Sequence, residues 1–262
     1  MKVIFLNLLK SLLGEDRYLH LKALVLRLVG RSHILPPIFV HLRTIKNKNG
    51  IEIGGPSPMF KDTFRIYQRV NSLDNVNFSS VTLWENELSH NSKFNFYENK
   101  PGIQFISEAS DLGGISKKYD FLISSNCLEH VANPIKTVFE WKKVLKPGGF
   151  MFIVVPWKES NFDHRRSFTE FEHVLDDFNK NVGEDDMTHL DEILKLHDLS
   201  RDLPAGSLEE FKLRCLDNFN IRGMHHHVFS IELLKQIISF CDLNHISSGK
   251  YGHDLFIYAQ NT

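Results

Sequence analysis

Short apolar runs alternate with segments of helical periodicity from residue 49 onward. The runs that indicate strands are 50–54, 102–107, 119–125, 150–156, 243–249 and 254–260, with a further strand expected within 64–78. The central runs are almost continuously apolar. This is typical of strands buried on both faces of a parallel sheet that helices cover.

The helix between 119–125 and 150–156 has clear boundaries in the sequence. Asn133 is a suitable N-cap, Pro134 follows at the first helical position, and "KPGG" predicts the end of the helix. A second helix is predicted after the N-cap residue Ser230. Strand, helix and strand in this order form the right-handed crossover unit, so we predict an α/β fold.

A polar and aromatic segment, residues 157–229, separates the two parts of this pattern. Two capping boxes, Thr169 with Glu172 and Ser207 with Glu210, predict helices inside it. Connections of this length without secondary structure are rare in compact domains. We therefore predict a mainly helical insertion.

The N-terminal 48 residues have a different character. Leucines recur at three- and four-residue intervals from Leu6 to Val29, which predicts an amphipathic helical segment that ends at "HILPPIF". Residues 1–48 contain nine Lys/Arg and two acidic residues, a local charge of +7 that leaves −8 for the remainder. Such a helix can lie on an anionic membrane, although we favour a helix packed on the main domain with its lysines in solvent.

The composition excludes several classes of protein. A net charge of −1 gives no global argument for a nucleic-acid partner. The three cysteines include no CxxC pair, which indicates neither a disulfide framework nor a zinc site and favours a reducing cytoplasm. No apolar stretch reaches the roughly 18 residues that a membrane span needs. We expect a soluble cytoplasmic protein, at most peripheral to the inner face of the membrane, whose oligomeric state the sequence leaves open.

The loop after the first predicted strand reads "IEIGGPSPMF" and contains Glu52, Gly54 and Gly55. A loop that binds pyrophosphate needs several backbone N–H donors, and neither Pro56 nor Pro58 has one. A cofactor without phosphates remains compatible, because Gly54 permits close approach and Glu52 supplies charge for an ammonium group. S-adenosylmethionine is such a cofactor.

Candidate ligand-binding residues follow the other predicted strands, where open parallel sheets bind their ligands. Asp74 lies 20 residues beyond Gly54. In this architecture an acid about 20 residues after the glycine loop commonly binds the ribose hydroxyls. An Asp in "LDN" also suits a turn. Glu108 and Ala109 follow the third strand, and Ser125, Asn126, Glu129 and His130 follow the fourth. Glu108 could instead cap a helix, and His130 could be structural.

Residues 119–156, "YDFLISSNCLEHVANPIKTVFEWKKVLKPGGFMFIVVP", closely resemble the central part of class I S-adenosylmethionine-dependent methyltransferases. The resemblance covers 49–156 and 231–262. It implies a Rossmann-like parallel sheet with an antiparallel C-terminal strand, N-terminal helices, and a methyltransferase domain over 49–262 in which the insertion 157–229 is the acceptor-binding cap. S-adenosyl-L-methionine is the implied cofactor.

The resemblance also implies roles for individual residues. Residues expected at the cofactor are Glu52, Gly54 and Gly55 in the first motif, Asp74 at the ribose, Glu108 and Ala109 beside the adenine, and Ser125 and Asn126 beside the methyl group and methionine tail. The sequence departs from the family where Pro56 and Pro58 replace the usual second and third glycines. A GGPS loop also resembles that of methyltransferases from polysaccharide gene clusters, so a hydroxyl on a sugar, glycan or similar metabolite is the expected acceptor.

Methyl transfer depends mainly on alignment of donor and acceptor, and an oxygen acceptor benefits from a general base. The candidate bases among the 14 histidines are His130, His164 and His226. We predict no metal site, because the adjacent histidines 225–227 do not share one face of a regular element and no HExxH motif is present. Arg165 and Arg166 could recognise an anionic group on the acceptor or pair with nearby acids such as Asp185 and Asp186.

Two other functions are compatible with parts of the sequence. A nucleotide-dependent oxidoreductase or epimerase uses the same kind of sheet, but the two prolines and the missing GxGxxG motif are evidence against it. A cofactor-binding or membrane-docking scaffold without turnover would account for the prolines and the basic N-terminal segment.

Overall fold

The computed structural model describes residues 41–85 and 87–262. The chain divides into two units, Met1–Thr44 and Ile45–Thr262, and everything below concerns the second. The predicted amphipathic helix at Leu6–Val29 lies outside the described residues, as does its proposed membrane contact.

Eight strands form one mixed sheet. They are β1 (Asn49–Ile53), β2 (Ser72–Asn77), β3 (Ser92–Lys93), β4 (Ile103–Ile106), β5 (Tyr119–Ser125), β6 (Leu145–Pro156), β7 (Leu243–Tyr251) and β8 (Asp254–Asn261). Their order across the sheet is β3-β4-β2-β1-β5-β6-β8-β7. Each predicted strand is present, whereas the two-residue edge strand β3 has no counterpart in the sequence prediction.

The centre of the sheet is parallel and its edges are antiparallel. β1 pairs in parallel with β2 and β5, β2 with β4, and β5 with β6. The C-terminal strand β8 runs antiparallel between β6 and β7, and β3 runs antiparallel to β4. The predicted Rossmann-like sheet with an antiparallel C-terminal strand is therefore confirmed.

Seven α-helices lie in the described part of Ile45–Thr262. They are α1 (Ile66–Arg69), α2 (Pro134–Lys143), α3 (Phe171–Asn179), α4 (Leu190–Leu196), α5 (Leu208–Leu216), α6 (Asn218–Ile221) and α7 (Ile231–Phe240). The side chain of Asn133 accepts a hydrogen bond from the backbone N–H of Lys136, and that of Ser230 from Leu233, so both predicted N-caps are confirmed. α2 and α7 bury Ile135, Val138 and Leu234 in the main core with the strands.

The insertion contains α3 to α6 and has a small apolar cluster of its own around Phe211, Cys215 and Met224. Ser207 and Glu210 form the predicted capping box. The other predicted box is wrong, because α3 begins at Phe171 and its N-cap residue Glu170 makes no side-chain cap. The hydroxyl of Thr169 instead accepts a hydrogen bond from the Val228 N–H, 2.9 Å away, and joins the two ends of the insertion.

Candidate active site

A cavity of about 420 Å³ opens at the carboxyl ends of β1, β2, β4 and β5. The central strand β1 separates β2 from β5 at this edge, where the strand order reverses and open α/β sheets bind their ligands. Seven of the residues predicted from sequence line it: Gly54, Gly55, Glu108, Ala109, Ser125, Asn126 and His130. The volume lies in the range that accommodates cofactors and drug-sized ligands, about 300–1,000 Å³.

The loop after β1 is held from behind by Glu52. The Glu52 Oε1 atom accepts from the Ser57 N–H at 3.1 Å, and Oε2 accepts from the Tyr67 hydroxyl at 2.6 Å. A Cβ on Gly55 would lie 2.3 Å from the Glu52 carboxyl carbon, so this close approach requires glycine. Glu52 is fully buried and is not a lining residue, so it supports the loop from behind.

Burial raises the pKa of Glu52 to about 8, although the hydrogen bonds from Tyr67 and Ser57 act in the opposite direction. The carboxyl is therefore largely neutral at pH 7. The expected role of Glu52 as a source of negative charge for the cofactor does not fit this environment, because charge is costly where water is excluded.

Asp74 does not fit the ribose role predicted for it. The 20-residue count places it in the middle of β2, three residues before the strand ends at Asn77. Its carboxylate accepts hydrogen bonds from Tyr119 at 2.8 Å, from Lys117 at 2.7 Å and from the Ile103 N–H at 3.0 Å, away from the cavity. Asn77 lines the cavity at the carboxyl end of the strand.

An ion pair links the insertion to the cavity wall that follows β4. Arg222 donates to Glu108 Oε1 at 2.7 Å and lies 3.6 Å from Glu184 Oε2, while its guanidinium stacks over Phe78 at 5.1 Å. Burial raises the pKa of Glu184, and the nearby Arg222 lowers it. Glu108 therefore lines the cavity as predicted, but with its carboxylate engaged by a residue that the sequence did not single out.

The loop after β5 is tightly ordered. Asn126 adopts a positive φ of 50°, and its N–H donates to the Val154 carbonyl at 3.0 Å. Cys127 follows, and burial raises the pKa of its thiol to about 12, so it remains a neutral wall residue. The backbone carbonyl of Ala109 accepts from the Trp141 indole at 3.0 Å, which fixes the neighbouring wall.

His130 is the one candidate base that reaches the cavity. Its Nδ1 lies 3.0 Å from the Met224 carbonyl, which requires Nδ1 to carry the proton and leaves Nε2 as an acceptor. Burial lowers the pKa of His130 well below its usual value, and the neighbouring His225 lowers it further. Glu129 Oε1 lies 4.0 Å from His130 Nε2, and burial raises the pKa of Glu129 to about 7.

The other two predicted bases lie elsewhere. His164 Nε2 is 2.8 Å from Asp198, within the insertion. His226 is fully buried against the Asn218 side chain, 3.1 Å away. Neither residue lines the cavity, because each imidazole is oriented by a partner inside the insertion.

The three consecutive histidines have three different environments. His225 lies 2.5 Å from Asp163, beside His130, whereas His226 contacts Asn218 and His227 contacts the Ala132 carbonyl. Arg166 donates to the backbone carbonyls of His225 and His226 and to Asp163. Arg166 therefore pairs with acids, as one of its two predicted roles required, but the partners are Asp163 and Glu192 and not the predicted Asp185 or Asp186.

Two groups of potential metal ligands occur within residues 41–85 and 87–262. One comprises Glu129, His130 and His225 beside the cavity, and the other His173, His189 and His227 in the insertion. Neither a shared face of adjacent histidines nor an HExxH motif marks these residues in the sequence, because distant segments bring them together.

Two further lining residues escaped the sequence prediction. Trp84 is 60% exposed and its ring lies 5.3 Å from that of His130, and Glu85 follows it at the same wall. Both belong to an irregular segment after β2. No periodicity or spacing marks them, because their position depends on how the loop returns across the sheet edge.

The parallel sheet, its switch point and the cavity at its carboxyl edge define a Rossmann-like protein that binds a small ligand. The methyltransferase domain family matches residues 31–239, and the chain belongs to this family of class I S-adenosylmethionine-dependent methyltransferases. Its methyl donor is S-adenosyl-L-methionine. No curated protein matches the sequence.

Several solved structures are similar to this chain at low sequence identity. An S-adenosylmethionine-dependent methyltransferase from Mesorhizobium loti aligns with a TM-score of 0.49 at 10% identity, over 85% of this chain and 96% of its own. A putative methyltransferase of the same kind from Listeria monocytogenes gives 0.48 at 12%, over 86% and 97%. One from Aquifex aeolicus gives 0.46 at 12%, over 86% and 88%. No helix in the described part of the chain is long and apolar enough to cross a membrane.

Proposed function

We propose that this methyltransferase transfers the methyl group of S-adenosylmethionine to a hydroxyl oxygen of a sugar, glycan or similar small polyhydroxylated metabolite. The observation that carries the proposal is the position of a neutral imidazole, His130, and an exposed aromatic ring, Trp84, in the same cavity as the glycine loop. A base and a flat apolar surface are what a hydroxylated ring requires of its site.

The donor would occupy the sheet side of the cavity. Gly54 and Gly55 would accommodate the methionine part, Asn77 would hydrogen-bond the ribose at the end of β2, and Ala109 would lie against the adenine. Ser125 and Asn126 at the end of β5 would flank the sulfonium. This assignment moves the ribose contact from Asp74 to Asn77, whose amide can both donate to and accept from a pair of hydroxyls.

The acceptor would occupy the side formed by the insertion and the loop after β2. Trp84 offers a broad apolar face, and Glu85, Glu184 and Arg222 surround it with hydrogen-bonding groups. This combination suits a ring that is apolar on its face and polar at its edge. The insertion would thus act as the acceptor-binding cap of the 49–262 domain.

His130 would accept the hydroxyl proton during in-line transfer. The Met224 carbonyl holds its Nδ1–H and keeps Nε2 unprotonated, and the nearby Glu129 would stabilise the imidazolium that forms. Bound S-adenosylmethionine would supply the methyl group. The acceptor oxygen would bond to the methyl carbon while the carbon–sulfur bond breaks and its electron pair remains on sulfur. Most of the rate enhancement would come from alignment, with the base contributing on the order of 10²- to 10⁴-fold.

The test is a transfer assay with methyl-labelled S-adenosylmethionine and three acceptor panels: mono- and oligosaccharides, phenols, and primary amines. We expect label in the first panel, at a position that is stable to mild acid as an ether is. Label only in phenols or amines would overturn the acceptor assignment. Cofactor binding by calorimetry without transfer to any panel or to fractionated cell extract would instead support a scaffold without turnover.

A further inference from the structure

Three imidazoles from separate segments of the insertion converge away from the cavity. One nitrogen from each of His173, His189 and His227 lies within 4.8 Å of the others. We propose that these three residues bind a divalent transition-metal ion, Zn²⁺ by preference, and that the ion ties α3, the start of α4 and the segment before α7 together.

The closest pair of nitrogens already has a spacing compatible with metal coordination. His173 Nε2 and His189 Nε2 are 3.1 Å apart. Two imidazole nitrogens that bind one tetrahedral Zn²⁺ at about 2.0–2.1 Å are separated by roughly 3.4 Å. A ligand shift of a few tenths of an ångström, on the order of 0.3 Å, would therefore suffice to complete that pair.

His227 is oriented as a metal ligand usually is. Its Nε2 lies 3.2 Å from the Ala132 carbonyl and donates to it, which leaves the lone pair on Nδ1. Nδ1 is buried and has no hydrogen-bond partner among the described residues. Metal-binding histidines commonly donate their second N–H to a carbonyl or carboxylate in this way, because the bond fixes the ring and its tautomer.

Asp177 provides a further independent observation. Its Oδ2 atom is buried without a hydrogen-bond partner in the described part of the chain, and lies 3.5 Å from His173 Nε2 and 3.7 Å from His227 Nε2. His173 and Asp177 are four residues apart on α3 and so share one face. Unpaired buried carboxylate oxygens are uncommon and need an explanation, and a cation beside three imidazoles would supply one.

The donor set indicates the class of metal. Imidazole nitrogens suit Zn²⁺, Co²⁺, Ni²⁺ and Cu²⁺, whereas Mg²⁺ and Ca²⁺ prefer oxygen ligands. Three imidazole nitrogens with a water molecule in the fourth position match a four-coordinate zinc environment. The His173 side chain is 42% exposed, so the ion has a route from solvent.

The test uses full-length protein without a histidine tag, treated with a chelator and titrated with ZnCl₂ by calorimetry. We expect one tight site in the wild type, weakened by more than about 100-fold in His189→Ala and His173→Ala. The exposed His253 provides a control, and H253A should bind as the wild type does. Addition of CoCl₂ should give the intense visible bands of a tetrahedral complex.

The cavity group of Glu129, His130 and His225 is the rival location for any bound ion. Zinc binding that is retained in H189A and H173A but lost in H130A would overturn the proposal and place the ion at the cavity. No binding to wild-type protein would overturn it as well. Because neither cofactor nor acceptor is present, these outcomes are independent of the transfer assay.

Discussion

The buried carboxyl behind the cofactor loop should make the stability of this protein depend on pH. Burial raises the pKa of Glu52 to about 8, from 4.5 for an unburied glutamate. The folded state therefore prefers the neutral carboxyl, while the unfolded chain ionises. The resulting stability is fully present below about pH 4.5 and is lost as pH rises to about 8.

The size of this effect follows from the two pKa values. Each pH unit well between them lowers the free energy of unfolding by about 1.4 kcal/mol. Because the slope flattens near each pKa, the range from pH 5 to pH 8 accounts for a decrease of about 3–4 kcal/mol. Glu52→Gln removes the ionisation but keeps an amide that can hydrogen-bond Ser57 and Tyr67. We expect the free energy of unfolding of this variant to be lower by about 1 kcal/mol at every pH, because the hydrogen bond to Tyr67 is altered. The variant should not show the pH-dependent decrease.

Urea denaturation followed by circular dichroism at pH 5, 6, 7 and 8, without cofactor, measures the difference. From pH 5 to pH 8, the free energy of unfolding of the wild type should decrease by about 3–4 kcal/mol more than that of E52Q. Glu232, whose side chain is 74% exposed, provides the matched control, and E232Q should follow the wild type. If E52Q shows the same decrease as the wild type, the inference of a neutral buried Glu52 is wrong.

Three further predictions separate the roles of cavity residues from those of their neighbours. His130→Ala should lower kcat by about 10²- to 10⁴-fold with little change in the Kd for S-adenosylmethionine, whereas His164→Ala should leave kcat unchanged. Steady-state kinetics measures kcat and calorimetry measures the Kd. An equal loss of kcat in both variants would contradict the assignment of His130 as the base. Trp84→Ala should raise the acceptor KM by about 10-fold through lost stacking, and a matching loss of cofactor affinity would place this ring on the donor side instead. Asn77→Ala should weaken cofactor binding, measured by calorimetry, by about 5- to 20-fold. Asp74→Asn should instead lower the free energy of unfolding by about 1–3 kcal/mol, measured by thermal denaturation. The reverse pattern would show that Asp74, and not Asn77, binds the ribose.

The fold was predictable because its signals are local. Strands β4, β5 and β6 contain apolar runs, and the caps at Asn133 and Ser230 act within three residues of themselves. The mostly polar β2 could be placed only within 64–78. Thr169 was misassigned because its hydroxyl has an alternative partner at Val228, 59 residues away. A capping motif records what a side chain can do locally, while the tertiary structure decides which partner it takes.

The site was predictable only in part, for the same reason. Residues directly after a strand, such as Gly54 and Asn126, reached the cavity because the sheet alone positions them. A count of residues from the glycine loop failed for Asp74, since the irregular path between β1 and β2 shifts where β2 ends. Trp84 and Arg222 come from loops and the insertion, where no periodic pattern predicts which side chain faces the ligand.

The tripeptide His225–His227 also constrains how this chain can change in length. Its three side chains face the cavity group, the interior of the insertion and the histidine cluster respectively, so each environment is tied to one backbone position. Deletion or insertion of a single residue just before it would move two of the imidazoles into a neighbour's place and the third out of the set. The backbone position of the tripeptide must therefore be kept. We expect variation in the size of the insertion to be confined to surface turns well away from it.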